Sequence, residues 1–310
     1  MTTIAIIGAG SLGSALAHEL TARGHEARVI SRGDAHGQLP SSVGHLRADA
    51  RDTEALTKAI QGADIVIQTS QPVYTRWAQE FPQLQRSILA ATERAGARIV
   101  LADNLYMYGR GDNGVIADAT PERPCSVKGE VRKAMADEAL EAHTQGRLQV
   151  ALTRPSNYVG AGYELSRRLL LDPARAGKPM KVLGSLEQPH SFTYLPDAVR
   201  AMADIALADD AYGRAWITPA MQPVTQQQLC DALWAAAGND GPAKVQAIRG
   251  AGLRALALVN PLLKASIEMM YEFDEPYEVR ATDFEARFGW SGTSLISAAS
   301  ESMTGGARLA

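Results

Sequence analysis

Three glycines near the N-terminus have the spacing of a phosphate-binding turn. They follow the apolar run 4–7 and open an amphipathic stretch, a context that predicts a strand, a tight turn and a helix. The first glycine permits the turn, the second lets backbone N–H groups approach a diphosphate, and the third lets helix and strand pack closely. The N–H groups and dipole of the helix N-terminus also favour an anion. The pattern predicts a dinucleotide site formed by Gly8, Gly10, Ser11, Leu12 and Gly13.

The end of the second predicted strand bears on which dinucleotide is bound. Sites that prefer NAD place an Asp or Glu there to accept hydrogen bonds from the adenosine ribose. Here the residues are Ser31, Arg32 and Gly33. A carboxylate would repel a 2′-phosphate, whereas Arg32 can bind it bidentately and Ser31 can donate its hydroxyl. This favours NADP(H) as the cofactor, and the alternative is that Arg32 is a solvated surface charge.

The elements that must position these residues alternate regularly through the first half of the chain. Apolar runs predict strands at 3–7, 27–31, 44–48, 65–69, 98–102 and 148–153. Amphipathic stretches predict helices at 11–23, 53–61, 76–95 and 128–144. The alternation is typical of an α/β fold of the Rossmann type, a doubly wound parallel sheet that binds ligands at the carboxyl ends of its strands.

The alternation ends near residue 160, where proline and glycine become frequent, notably at 173–179 and 239–242. Residues 1–160 are therefore predicted to form the dinucleotide-binding domain. Residues 161–310 are predicted to form mainly a smaller C-terminal substrate lobe. Within them, 191–218 has the pattern of a short strand and an amphipathic helix that return to the main sheet.

Composition excludes several classes of partner. The chain has 31 Lys and Arg against 34 Asp and Glu, without a basic run, so no nucleic acid is expected. Its apolar runs are strand-sized, so no membrane span is expected. A start without a secretory leader favours a cytoplasmic location. Two cysteines and six histidines lack ligand spacing, so no metal is predicted. A small-molecule substrate remains the expected partner.

Further segments, in the same order along nearly the whole chain, resemble the extended short-chain dehydrogenase/reductase superfamily of epimerases, dehydratases and reductases. Residues 48–52 resemble the acidic segment after the third strand, and 105–109 resemble a segment that follows the fifth. Residues 153–160 resemble the loop that packs against the nicotinamide. The resemblance implies that the cofactor is held by Asp49 and Ala50 at the adenine, by Thr69, Ser70 and Gln71 at the ribose, and by Pro155 and Asn157 at the nicotinamide.

The catalytic trio of that superfamily is incomplete here. The family uses a Ser or Thr after the fifth strand, then a Tyr and a Lys spaced four apart on the next helix. Residues i and i+4 share a helix face, so the ammonium lowers the pKa of the phenol, which then exchanges a proton with the substrate. In this chain the resemblance places Asn104 at the Ser position, Gly129 at the Tyr position and Lys133 at the Lys position. The usual mechanism cannot operate unchanged.

Three interpretations of the missing tyrosine remain open. The first is an NADP(H)-dependent oxidoreductase that reduces a carbonyl group of a small molecule, with Tyr106 as proton donor, Asn104 as hydrogen-bond donor to the substrate oxygen, and Lys128 and Lys133 close by. The second is a catalytically silent NADP(H)-binding redox sensor. The third, a structural subunit without cofactor, fits poorly with the glycine turn. Within the first, a nucleotide-sugar epimerase or dehydratase-like activity is the alternative. Folds of this kind often dimerise through two long helices, and a homodimer stays open.

Overall fold

The computed structural model describes residues 1–34 and 39–304, which form two compact units. Unit 1 comprises Met1–Tyr106, Lys128–Arg154 and Ala198–Trp216, and unit 2 comprises Met107–Val127, Pro155–Asp197 and Ile217–Ala310. The chain therefore passes between the units several times. The functional division predicted at residue 160 stays a prediction.

Unit 1 is built on a seven-stranded sheet. Its strands are β1 (Thr3–Ile7), β2 (Glu26–Ser31), β3 (Gly44–Arg47), β4 (Ile65–Gln68), β5 (Arg98–Ala102), β6 (Val150–Arg154) and β7 (Ala215–Ile217). Their order is β7-β6-β5-β4-β1-β2-β3, and β1 to β6 pair in parallel. All residues of β4 and β6 are buried, as expected for a parallel sheet covered on both faces. The predicted Rossmann-type fold is confirmed.

Five helices accompany this sheet: α1 (Ser11–Ala22), α2 (Thr53–Ile60), α3 (Trp77–Ala95), α4 (Val127–Thr144) and α5 (Leu195–Leu207). Their ends follow local chemistry. The Asp52 carboxylate caps α2 by accepting from the N–H groups of Glu54 and Ala55. At the C-terminal end of α3, Gly96 takes the left-handed conformation with φ of 70°, which suits a residue without Cβ.

The strand order reverses beside β1, which pairs with β2 on one side and with β4 on the other. Crossovers that start from β1 and β4 therefore diverge, and such a point opens a crevice at the carboxyl ends of both strands. Gly8 follows the end of β1, and Thr69 follows the end of β4. The topology places the predicted dinucleotide turn at this reversal.

Unit 2 contains short strands that pair in twos, among them Met180–Leu183 with Val245–Ile248 and Tyr158–Val159 with Thr193–Tyr194. Its core includes Leu171, Phe192, Leu233 and Trp234. The other strands are Val115–Ile116, Pro189–His190, Val224–Thr225 and Glu278–Val279. The helical segments are Glu164–Ser166, Arg167–Leu171, Asp172–Arg175, Gln226–Ala236, Gly250–Ala257, Pro261–Ser266, Ile267–Met269, Tyr271–Asp274, Thr282–Phe288 and Leu295–Thr304.

Within residues 1–34 and 39–304, no helix combines the length and the apolar character that a bilayer span requires.

Candidate active site

The turn between β1 and α1 depends on its glycines. Gly8 has a φ of +117°, and a Cβ added there would lie 2.7 Å from Thr69 Oγ1 and 2.8 Å from the Ser70 nitrogen. A Cβ on Gly13 would lie 1.9 Å from the Gly8 carbonyl oxygen, so helix and turn could not approach as they do. Contact at these two positions leaves no room for any other residue type.

Gly10 differs from its two neighbours in the motif because a Cβ added there would meet no described atom within 4 Å. It is the N-cap of α1, whose first turn, among the described residues, receives no side-chain cap and contains no acid. The first N–H groups of a helix, here including those of Ser11 and Leu12, have no partner within the helix itself. Open space beside an uncapped helix N-terminus fits the diphosphate of a dinucleotide.

Thr69 and Ser70 join the glycine turn to the end of β4. The Thr69 hydroxyl lies 3.1 Å from the Ile7 carbonyl oxygen and 3.3 Å from that of Gly8, and the Ser70 N–H donates to Ile7 at 2.8 Å. The buried Ser70 hydroxyl has no hydrogen-bond partner in the described part of the chain. An unsatisfied buried hydroxyl is costly, so a polar ligand group here would stabilise it. Gln71 is exposed.

At the tip of β2, Ser31, Arg32 and Asp49 form a second polar group. Arg32 is exposed, and the Ser31 hydroxyl donates to the Gly33 carbonyl at 2.6 Å. The Asp49 carboxylate pairs with Arg51 at 2.8 Å. Hydrogen bonds from Arg51 lower the pKa of Asp49, and the charge of Arg32 adds a smaller effect in the same direction. Arg32 is therefore within electrostatic reach of Asp49. Ala50 is buried beside it.

His45 on β3 was not predicted as a site residue. Its Nε2 lies 2.8 Å from the Ser31 hydroxyl, so an imidazole ring lies close to the residues that are predicted to bind a 2′-phosphate. The short segment that contains it has no residue pattern that could have identified it. Only the parallel register of β2 and β3, which sets Val29 opposite His45, brings the ring to this end of the sheet.

After β5 the chain turns sharply and places Asn104 beside Tyr106. The Asn104 side-chain oxygen accepts the Tyr106 N–H at 3.2 Å, so its amide nitrogen is the end that can donate elsewhere. Residues Tyr106–Tyr108 form a 3₁₀ turn, and the half-buried Tyr106 ring packs 6.0 Å from the Trp77 ring. The structure thus joins the two predicted residues.

The buried face of helix α4 carries two cations that are not at the positions that the resemblance implies. Lys133 is 36% exposed at its side chain and pairs with Asp137 at 2.8 Å on the same helix. Lys128 and Arg132, also four residues apart, are 7% and 3% exposed. The structure brings Lys128 into a buried cluster and leaves Lys133 half-buried, while Gly129 is buried and brings no side chain.

Aromatic rings just before α3 and in its first turns contact the two buried cations. The Lys128 ammonium lies 4.6 Å from the centre of the Tyr74 ring, and the Arg132 guanidinium lies 4.6 Å from that of Phe81. The Trp77 ring contacts Tyr74, Phe81 and Tyr106. Such cation–π contacts are worth most when the cation is desolvated. Lys128, Arg132 and Tyr106 therefore share one aromatic cluster.

Asp103, directly after β5, binds the guanidinium group of Arg132. Its fully buried carboxylate accepts from Arg132 Nε at 3.0 Å and from Arg154 Nε, at the end of β6, at 2.8 Å. Arg132 Nη2 also donates to the Ala102 carbonyl at 3.0 Å. Removal of one partner from a buried ion pair is strongly destabilising, so this triad fixes α4 against the ends of two strands.

The family model described as the NAD dependent epimerase/dehydratase family matches residues 4–215, more than half of the chain. The chain belongs to this family. The match covers the glycine turn, the triad of Asp103, Arg132 and Arg154, and the whole of α4.

Relatives within and around this family are distant in sequence. The chain is 26% identical to a 2-alkyl-3-oxoalkanoate reductase of Stenotrophomonas maltophilia over 74% of either protein. It is also 26% identical to a 3beta-hydroxysteroid-dehydrogenase/decarboxylase of Arabidopsis thaliana over 64% of this chain and 39% of that protein. A dTDP-glucose 4,6-dehydratase from Streptomyces venezuelae, solved with NAD, has a similar fold with a TM-score of 0.77, 19% identity and coverage of 98% and 96%.

Unit 2 of this family member holds a buried polar network around Asn157. The Asn157 amide nitrogen lies 3.3 Å from His190 Nε2 and donates to the Glu272 carboxyl group at 3.4 Å. His190 Nδ1 donates to the Glu272 backbone carbonyl at 2.8 Å, so Nε2 is the accepting nitrogen. The predicted residue Pro155 is buried, whereas Asn157 is half-buried at the edge of the network.

Burial keeps this network neutral. It lowers the pKa of His190 to about 4 and raises the pKa of Glu272 to about 8, since a charged form would lose its hydration. The rings of Phe273 and Tyr277 stack on His190 at 5.0 and 5.1 Å. Glu272 was not predicted as a site residue, and it lies 82 residues from His190 along the chain.

Proposed function

We propose that this protein is an NADP(H)-dependent oxidoreductase that reduces a carbonyl group of a small molecule. The observation that carries the proposal is the β1–α1 turn, where the described residues leave α1 without a side-chain cap, the space at Gly10 open and the nearby Ser70 hydroxyl without a partner. Gly8, Gly10, Ser11, Leu12 and Gly13 would hold the diphosphate. Thr69, Ser70 and Gln71 would hold a ribose, and Pro155 and Asn157 would hold the nicotinamide.

The preference for NADP(H) over NAD(H) rests on the tip of β2. Arg32 is exposed there with Ser31 and His45 close by on the paired strands, and no acid follows β2 directly. A guanidinium group suits a dianionic phosphate, and the Ser31 hydroxyl would have to turn away from the Gly33 carbonyl to donate to it as well. Asp49 and Ala50 would contact the adenine.

Bound NADPH supplies a hydride to the carbonyl carbon, and this chain must then orient the carbonyl and protonate its oxygen. Asn104, Tyr106, Lys128 and Lys133 are the candidates for that work. The name of the 2-alkyl-3-oxoalkanoate reductase makes 2-alkyl-3-oxoalkanoates the first substrates to test here. A cytoplasmic location and a homodimer remain predictions.

A fluorescence titration of the protein with NADPH and with NADH tests the cofactor assignment. Loss of charge-assisted bonds costs about 1.5–3 kcal/mol, so Arg32→Glu should weaken NADPH binding roughly 10- to 100-fold and leave NADH binding nearly unchanged. Arg94→Glu, the same charge reversal at an exposed position on α3, is the matched control. Unchanged NADPH affinity in Arg32→Glu would show that this arginine does not read the phosphate.

Gly10→Ala tests the turn itself. The added methyl group enters open space, so the fold should be retained, yet it would occupy the position of the diphosphate. NADPH affinity should fall roughly tenfold or more, which corresponds to about 1.4 kcal/mol. Gly252→Ala, whose Cβ also meets no described atom within 4 Å, controls for the substitution. If Gly10→Ala binds NADPH like wild type, the dinucleotide does not lie in this turn.

A redox sensor is the second candidate function, and Gly129 at the tyrosine position favours it. A sensor would bind NADPH and respond to Arg32→Glu and Gly10→Ala as described above, but it would reduce nothing. A panel of 2-alkyl-3-oxoalkanoates, simple ketones and nucleotide sugars, followed by NADPH absorbance, separates the two. Turnover of any member supports the oxidoreductase, whereas binding without turnover across the panel supports the sensor.

A further inference from the structure

Among the described residues, the inward face of α4 carries two buried cations that the usual reaction does not assign. Lys128 and Arg132 are four residues apart and therefore lie one above the other on the same face. The predicted pair, 129 and 133, is displaced from them by one residue, about 100° around the helix. Gly129 has no side chain that could act, and Lys133 is paired with Asp137 at the surface.

We infer that Lys128 and Arg132 replace the tyrosine and lysine of related reductases, with Lys128 as proton donor and Arg132 as a second donor to the substrate oxygen. This inference rests on the proposed function. It assigns the reaction to the face of α4 that carries residues 128 and 132, whereas the sequence alone does not distinguish this face from that of residues 129 and 133.

Arg132 is held in a geometry that suits this role. Asp103 fixes its Nε, the Ala102 carbonyl fixes its Nη2, and the Phe81 ring covers its guanidinium plane. Its third nitrogen, Nη1, is buried without a hydrogen-bond partner in the described ranges. Buried guanidinium nitrogens are normally satisfied, so this one points to a polar group supplied by a ligand. An oxygen that gains negative charge is such a group.

Lys128 supplies what Arg132 cannot. A guanidinium group does not release its proton in proteins, whereas an ammonium group can. Hydride from NADPH, which would be oxidised to NADP⁺, would add to the carbonyl carbon. The C=O π electrons would move to oxygen, and the oxygen would take a proton from Lys128 Nζ. The neutral amine then regains a proton from water. Tyr74, whose ring lies 4.6 Å from the ammonium, positions it without taking part in the transfer.

The place of the pair in the fold supports the same role. Arg132 is bound to Ala102 and Asp103 at the carboxyl end of β5, and Arg154 at the end of β6 completes the anchor. Ligands of doubly wound sheets bind beyond the carboxyl ends of strands. Asn104, whose amide nitrogen can donate, follows Asp103 directly. Arg132 and Asn104 therefore both lie at the end of one strand, and Lys128 lies one helical turn before Arg132 on α4.

Two measurements test the pair. The first is turnover of a 2-alkyl-3-oxoalkanoate with NADPH. Lys128→Met should lower kcat by about 10²- to 10⁴-fold, the range of general acid catalysis, while NADPH affinity stays within about twofold. Lys128→Arg keeps the charge and should show the same loss of kcat. Lys58→Met, at an exposed position on α2, is the matched control and should retain wild-type turnover.

The second measurement needs no turnover. 4-Nitrophenol is titrated into the protein loaded with NADP⁺, and the absorbance of its phenolate is followed. A site that stabilises an oxyanion should bind the phenolate in preference to the phenol. Lys128→Met and Arg132→Lys should weaken phenolate binding by roughly tenfold or more, while Lys128→Arg retains it. Arg132→Lys keeps a cation beside Asp103 and so allows folding, but it lacks Nη1.

The outcomes separate the inference from the proposed function. Wild-type phenolate binding and turnover in Lys128→Met would overturn the inference while the oxidoreductase stands. A large loss in Lys133→Met, or in Tyr106→Phe, with full activity in Lys128→Met would restore the sequence-based assignment. If wild type reduces nothing but binds phenolate through Lys128 and Arg132, the reaction fails and the oxyanion site stands. If wild type binds phenolate no better than Lys128→Met, the oxyanion site does not exist.

Discussion

The carboxyl groups of Asp103 in unit 1 and Glu272 in unit 2 are both buried, but they are stabilised in opposite ways. Asp103 accepts hydrogen bonds from two guanidinium groups, so its negative charge is stabilised by opposite charge. Burial raises the pKa of Glu272 to about 8, so it is mainly protonated near neutral pH and needs no cation. A buried acid can thus be accommodated by pairing or by protonation, and the two solutions respond differently to mutation and to pH.

The largest effect is expected for Asp103→Asn, which removes the carboxylate that pairs with two buried guanidinium groups. The neutral amide cannot balance two buried guanidinium groups, and its NH₂ group would face donors. The free energy of unfolding should fall by about 3–5 kcal/mol, as for other buried pairs that lose one partner. Urea denaturation measures it. A loss below about 1 kcal/mol would mean that Arg132 and Arg154 do not depend on Asp103.

A smaller effect, confined to a pH range, is expected for Glu272→Gln. The folded pKa of Glu272, about 8, lies above its ordinary value of 4.5, so between these values the folded protein holds a proton that the unfolded chain has lost. Wild-type stability should therefore fall as pH rises through this window, by at most about 1.4 kcal/mol per unit. Glutamine mimics the protonated carboxyl group, so Glu272→Gln should lack this slope.

His190 restricts where that slope can be read. The pKa of His190 in the folded protein, about 4, lies below its ordinary value of 6.5. The free energy of unfolding should therefore increase as pH rises from about 4 to 6.5. The two slopes oppose each other there. Urea denaturation of wild type and Glu272→Gln should therefore be compared between pH 6.5 and 8. Parallel curves for the two proteins in that range would mean that Glu272 does not hold its proton.

The smallest effect is expected where an ion pair is not buried. Asp137 and Lys133 on α4 are 58% and 36% exposed at their side chains, so water already satisfies both charges. Asp137→Asn should change the free energy of unfolding by no more than about 0.5 kcal/mol. A loss as large as that of Asp103→Asn would show that exposure does not govern the difference between these pairs.

The sequence was sufficient for the parts of unit 1 that depend on local pattern. Apolar runs bounded by turn residues placed six strands within about two residues of their bounds, and the spacing of Gly8, Gly10 and Gly13 indicated the turn after the first. The seventh strand, Ala215–Ile217, was not resolved as a separate element, since three residues carry too little periodicity.

Side-chain arrangements that depend on distant contacts could not be predicted in the same way. A four-residue spacing on α4 is met both by 128 with 132 and by 129 with 133, and only the packing against Asp103 distinguishes them. The network joins Glu272 to His190 and Asn157, which precede it by 82 and 115 residues, so no local pattern indicates it. The pairing of Met180–Leu183 with Val245–Ile248 also joins segments that are distant along the chain.

The first turn of α1 has no side-chain cap among the described residues, so in the free protein its N–H groups depend on water. A dinucleotide bound there would serve as the cap and would also add to folding stability by mass action, by about 2.7 kcal/mol at a hundredfold excess over its Kd. Because proteases act on opened chains, the lifetime of this protein in a cell would then rise and fall with the supply of the nucleotide.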